Sequence, residues 1–103
     1  MSPGMHREHY QPQTPLTIGE PPAGSRSIYL YREQPSTTAT ENLRMPSEPG
    51  AYAAVLYDTL HRVDAGGWEW IGVEQVPQEN QWAGIADRLR RAAQQTRPGT
   101  ARS

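Results

Sequence analysis

The spacing of apolar residues changes along the chain, and each change marks an element. Leu16-Thr17-Ile18 alternates apolar and polar residues and stops at Gly19 and the Pro21-Pro22 pair, which predicts a brief strand running into a loop. Ser27-Ile28-Tyr29-Leu30-Tyr31 is a stronger strand. Its β-branched and aromatic residues alternate Ile28 and Leu30 against Tyr29 and Tyr31, so both faces are expected to be at least partly covered. Residues 34–42 are polar and Thr-rich, a surface connection, after which 43–45 predicts one more short strand. Ser47-Glu48-Pro49 has the form of a helix start: a Ser cap, an acid suited to the positive helix end, and a proline tolerated in the first turn. From there Tyr52, Val55, Leu56, Leu60 and Val63 fall on one helical stripe. Gly66-Gly67 closes the helix, because glycine tolerates left-handed backbone. Residues 68–76 predict a further strand, with Trp70, Ile71 and Val73 as its apolar run and Pro77 as its end. A second helix is expected from about Glu79 and Asn80. Its stripe is Trp82, Ile85, Ala86, Leu89, Ala92 and Ala93, with Asp87, Arg88, Arg90 and Arg91 mostly on the other faces. The pattern ends at Gln94.

Strand, helix, strand, helix over the last two-thirds is the order of a small α/β unit, whose crossovers favour parallel neighbours. Residues 1–15 hold three prolines and almost no aliphatic side chain, and are expected to be an extended arm. The domain then spans 16–93, and 94–103 is expected to be a disordered tail. Composition makes this domain lean: Leu, Ile, Val and Phe total 14 of 103 residues. That share lies below the roughly 20% at which disorder becomes a serious alternative, but a net charge of −1 argues against full disorder. With no cysteine, disulfides, Cys-based zinc sites and thiol nucleophiles are excluded. All ten basic residues are arginine, so no lysine serves Schiff-base or P-loop chemistry. Near-neutral charge argues against nonspecific nucleic-acid binding. No apolar run approaches a membrane span and residues 1–10 lack a signal-peptide core, which points to the cytoplasm.

Three groups of residues carry candidate chemistry. His6 and His9 flank Glu8 closely enough to share a metal on a helix, but the surrounding prolines argue against that helix, and no metal is expected. Asp58, His61 and Asp64 recur every three residues on the first helix, the raw material of acid–base catalysis. With no nucleophile beside them, a solvated helix face explains them more simply. Arg88, Arg90 and Arg91 form a basic cluster near the end of the second helix, a candidate anion contact. Cations are also favoured there by the helix dipole, with their stems covering apolar surface. Neither the dinucleotide fingerprint nor the Walker pattern occurs, and no cofactor is expected.

Two segments together resemble one family. Ser2-Pro3-Gly4-Met5, then His9-Tyr10-Gln11-Pro12 and Pro15-Leu16, is similar to the interdomain linker of the long, two-domain threonylcarbamoyl-AMP synthases, which joins a YrdC-like catalytic domain to a smaller C-terminal domain. Residues 54–64, with the spacing Leu-Tyr-x-x-Leu-x-x-x-Asp, and the stretch 83–93 resemble the two helices that close that C-terminal domain. The match runs from about Ser2 to Ala93 and is poor over 19–42. Pattern and resemblance together predict a small, reduced Rossmann-like three-layer α/β unit, with a short, mainly parallel sheet, two main helices and an extended N-terminal arm. The helix that usually follows the family's first strand is expected to be missing, and His61 stands where arginine is more common.

No part of the catalytic domain is present, so the resemblance implies a relative that keeps the non-catalytic half and is not by itself an enzyme. It implies docking through Pro3, Gly4, Met5, His9, Tyr10 and Pro12 on a separately encoded YrdC-like protein, in the threonylcarbamoyladenosine modification of tRNA. A stiff arm of this kind loses little conformational entropy on binding. The alternative expectation is a free-standing interaction or small-ligand-binding domain that uses Tyr29, Tyr31 and the tryptophans for another partner. A weaker third is a small enzyme built on His61.

Overall fold

A computed structural model of the chain describes residues 12–95. It contains four strands, Leu16–Ile18 (β1), Ser27–Tyr31 (β2), Glu41–Arg44 (β3) and Trp70–Val73 (β4), and two helices, Pro49–Asp64 (α1) and Ala83–Gln95 (α2). A single 3₁₀ turn, Asn80–Trp82, leads into α2. The strands form one sheet in the order β1-β4-β2-β3, with every pairing parallel. The predicted α/β class, parallel sheet and two helices are therefore present. The connection from β1 to β2 holds no helix, as expected.

Register and side-chain alternation decide where the core lies. Leu16, Ile71 and Ile28 stand side by side in one row across the sheet, and Ile18, Val73, Leu30 and Leu43 in the next row on the same face. Leu16, Ile28, Leu30, Ile71 and Val73 form one core cluster with Tyr52, Leu56, Leu60 and Val63 of α1 and with Ile85, Leu89 and Ala92 of α2. Both helices thus cover that face. On the other face Gly72 lies between Thr17 and Tyr29. A Cβ at Gly72 would fall 2.8 Å from Pro21 Cδ, 2.9 Å from the Gly19 carbonyl oxygen and 2.9 Å from Tyr29 Cδ1. The missing side chain lets the Gly19–Pro21 loop lie directly on the sheet. Irregular chain, not helix, supplies the layer there, and it buries Tyr29 to 5% exposure.

Element ends show where local rules compete. The first helical residue of α1 is Pro49 and its N-cap is Glu48, in extended conformation and without a side-chain cap bond. Ser47, the expected cap, lies one residue outside. Proline forces the preceding residue into extended backbone and favours the first helical position, so the cap falls on Glu48. The α1 stripe also shifts: Thr59 is buried at 4% exposure, whereas Val55 is 37% exposed. At about 100° per residue Val55 lies roughly 85° from the centre of the stripe and Thr59 roughly 45°, so position outweighs polarity. Gly67, at φ +79°, supplies the left-handed turn beyond α1. The strand predicted over 68–76 pairs only at Trp70–Val73. The strand predicted at 43–45 pairs at Glu41–Arg44. Helix α2 continues two residues past its apolar pattern, to Gln95. Among the described residues no helix is long and apolar enough to cross a membrane.

Candidate docking site at the root of the arm

Because the strands are parallel and α1 returns the chain to the start of β4, the last turn of α1 lies at the amino-terminal end of the sheet, beside the entry to β1. The final residue of α1 is Asp64. Its Oδ2 accepts the backbone N–H of Gln13 at 3.0 Å, and its Oδ1 accepts both the backbone N–H of Thr14 at 2.9 Å and the Thr14 hydroxyl at 2.7 Å. Pro12 and Thr14 are buried. One residue on, the Pro15 carbonyl accepts the N–H of Ile71 at 2.9 Å and extends the β1–β4 ladder. Residues 12–15, assigned to the arm by their composition, are thus fastened to the domain. A carboxylate at a helix C-terminus opposes the macrodipole by about 0.3–1 kcal/mol. Three charge-assisted bonds offset that cost here.

A second polar cluster holds the opposite, carboxyl-terminal end of the sheet. The Glu74 carboxylate follows β4, and its Oε1 accepts three successive backbone N–H groups from the chain leaving β2: Arg32 at 2.6 Å, Glu33 at 2.9 Å and Gln34 at 3.5 Å. Partial burial alone would raise its pKa. The three N–H groups and the nearby Arg32 guanidinium outweigh that and hold it below the ordinary carboxylate value. Arg32, with a side chain only 12% exposed, lies 4.8 Å over the Trp82 ring and donates to the Ser47 carbonyl through Nε. Trp82 in turn packs edge-on against Tyr52, ring centroids 5.3 Å apart. The Tyr52 hydroxyl is buried and has no hydrogen-bond partner among the described residues. Its pKa is pushed well above the ordinary tyrosine value by burial, against the opposing influence of Arg32. Tyr29 is raised too, by burial first and then by Glu74 and Glu20. These groups brace the loops after β2 and β4.

The remaining candidates separate in space. His61 is exposed and stacks edge-on against Tyr57 at 5.4 Å, Asp58 is exposed, and Asp64 faces the arm root. Asp87 pairs with Arg90 at 3.1 Å and with Arg91 at 3.0 Å. Arg88 is on another side of α2, bordering a groove with Pro49, Gly50, Ala53 and Gly84. Arg90 borders a cavity of about 360 Å³ beyond the ends of β1 and β4, walled by Ile18, Val76, Pro77, Ala83 and Leu89. The three arginines therefore do not converge on one patch. Among the described residues no group of His, Asp and Glu is arranged to hold a metal. Of the docking residues read from the sequence, Pro12 is buried at the arm root, while Pro3, Gly4, Met5, His9 and Tyr10 lie outside the described residues, as do His6 and Glu8.

Sequence reasoning missed Glu74, Arg32, Gln13 and Thr14. One signal was available for the first two, since charged residues directly after the apolar runs of adjacent parallel strands sit at one end of the sheet. Nothing local links Thr14 to Asp64, fifty positions away.

Searches of curated proteins and of solved structures gave no significant match. A family model described as "Threonylcarbamoyl-AMP synthase, C-terminal domain" matches residues 1–94, and so takes in the arm, its root and both helices together. The suspected resemblance is thereby established, and the chain belongs to the family of threonylcarbamoyl-AMP synthase C-terminal domains.

Proposed function

We propose that this chain acts as a non-catalytic accessory domain that docks its arm on a separately encoded YrdC-like catalytic protein, in the pathway that threonylcarbamoylates tRNA adenosine. The observation that carries this reading is the fastening of Gln13, Thr14 and Pro15, at the root of the arm, to the domain. The family match extends through residues 1–94, and the two parts it joins are held together by the Asp64 bonds to Gln13 and Thr14. A domain built to present an arm needs such a joint, and a domain that carried a vestigial arm would not. The chemistry of the arm supports the same reading: prolines limit the entropy lost on docking, and Tyr10 offers both apolar area and a hydroxyl.

The test is calorimetric titration of the full chain into the YrdC-like protein of the same organism, with AMP-forming turnover followed in parallel. Saturable binding with a change in turnover is the expected result, and no heat with unchanged turnover refutes the reading. A second reading, an interaction domain for a different partner, draws on Trp68 and Trp70. Both are half-buried, with the Arg26 guanidinium 5.0 Å over the Trp68 ring. It predicts that a Trp68→Ala variant loses a partner other than the YrdC-like protein.

A further inference from the structure

We propose that the cavity beyond the carboxyl ends of β1 and β4 binds a small uncharged molecule of the nucleobase class, at a site separate from the arm root and independent of the docking function. Topology makes the opening. After Ile18 the chain turns onto the face that carries Gly72: the Gly19 N–H donates to the Val73 carbonyl at 2.8 Å, and the Gly19 carbonyl and Pro21 lie over Gly72. After Val73 the chain turns the other way. Val76 joins the core cluster, and α2 follows on the core face, where it packs on β1. Two neighbouring parallel strands therefore send their connections to opposite faces of the sheet, which parts the chain between them. In open parallel sheets small ligands bind at such a divide, outside the carboxyl ends of the strands. The cavity of about 360 Å³ lies there, with Ile18 on one side, residues 75–80 on another and α2 behind. Its size is within the range of small-molecule sites.

The lining decides the chemistry. Ile18 shares its row on the core face with Val73 and Leu30, both at 0% exposure, yet is itself 37% exposed. With Val76, Pro77, Ala86 and Leu89 it supplies apolar wall. The rim carries the carboxamides of Gln75, Gln78 and Asn80, which are exposed and have no hydrogen-bond partner among the described residues. Charge in the lining is balanced: Glu79 and Arg90 oppose each other in sign, and Arg90 is paired with Asp87 at 3.1 Å. A phosphate or carboxylate thus finds no uncommitted cation there, and the lining suits a neutral ligand. A carboxamide sets a donor beside an acceptor. The edge of a nucleobase offers the complementary pair, as when Asn or Gln bonds N6 and N7 of adenine. Its ring faces are apolar, so wall and rim complement the two kinds of surface on one ring.

The test is titration of the isotope-labelled full chain with adenosine, and in parallel with AMP, followed through backbone amide chemical shifts. Saturable shifts at Ile18, Gln75, Gln78 and Asn80 are expected with both, at affinities within about ten-fold of each other, because the phosphate gains no partner. Replacing the three carboxamides together, Gln75→Ala, Gln78→Ala and Asn80→Ala, is expected to weaken binding about ten-fold or more. Ala83→Trp, which fills the cavity from an exposed helix position, is expected to abolish it. If Ala83→Trp disturbs the fold, seen as shifts throughout the core without ligand, the carboxamide variant carries the test alone, since it changes exposed side chains only. Absence of saturable shifts at those four amides at about 5 mM adenosine overturns the proposal. Undiminished binding by the carboxamide variant, or by a folded Ala83→Trp, overturns it as well. AMP binding more than about ten-fold tighter than adenosine overturns the neutral-ligand assignment and gives the cavity to anions through Arg90.

Discussion

Gly72 has no side chain where the Gly19–Pro21 loop crosses the sheet, and this one absence sets how closely that loop packs. A Cβ would meet Pro21, the Gly19 carbonyl and Tyr29, each at less than 3.0 Å. All three are backbone or ring atoms with little room to yield. Gly72→Ala is expected to lower stability by about 1–3 kcal/mol, as overpacking does, seen as a lower thermal midpoint. Tyr52 makes the opposite case. Its ring fills the core at 1% exposure, while its hydroxyl is buried without a partner among the described residues. Tyr52→Phe keeps the ring and removes the unmatched dipole, so urea denaturation should show unchanged stability or a gain of up to about 1 kcal/mol. A clear loss would mean that the hydroxyl is hydrogen-bonded.

At the scale of elements, Glu74 ties the exit of β2 to the exit of β4, and its ionisation makes that tie depend on pH. The folded carboxyl titrates below its ordinary value of 4.5. Its stabilising effect is therefore fully present above that value and is lost as the pH falls through the folded pKa. Glu74→Gln should cost about 1 kcal/mol at neutral pH and show a smaller further loss between about pH 5 and 3 than the parent chain, by denaturant titration at each pH. The same ladders show how much was legible in the sequence. Alternation in Ser27–Tyr31 and the stripe of α2 could be read directly, because neighbours two, three or four residues apart set which side is buried. The α1 cap could not, because proline geometry overrode the usual preference for Ser47. The arm root was least legible. Asp64 drew notice for its spacing from His61, whereas its partners Gln13 and Thr14 are brought to it only when β1 pairs with β4.

For the molecule as a whole, the question is how so few aliphatic residues hold one domain, and Trp82 gives much of the answer. It is 3% exposed, packs edge-on against Tyr52 of α1, lies under the Arg32 guanidinium and ends the 3₁₀ turn that leads into α2. One side chain thus joins both helices to the loop leaving β2. Truncating a buried tryptophan typically costs about 3–5 kcal/mol. A natural domain has only about 5–15 kcal/mol in total, and a lean one of this size sits toward the low end. Trp82→Ala is therefore expected to be largely unfolded at 37 °C, and Trp82→Phe to remain folded with a lower midpoint. Because one cluster spans sheet and helices, the parent chain should unfold in a single transition. Tryptophan fluorescence and far-ultraviolet circular dichroism would then trace the same curve in urea. Two separated transitions would show that the sheet and the helices hold together independently, against the single core on which the role of Trp82 rests.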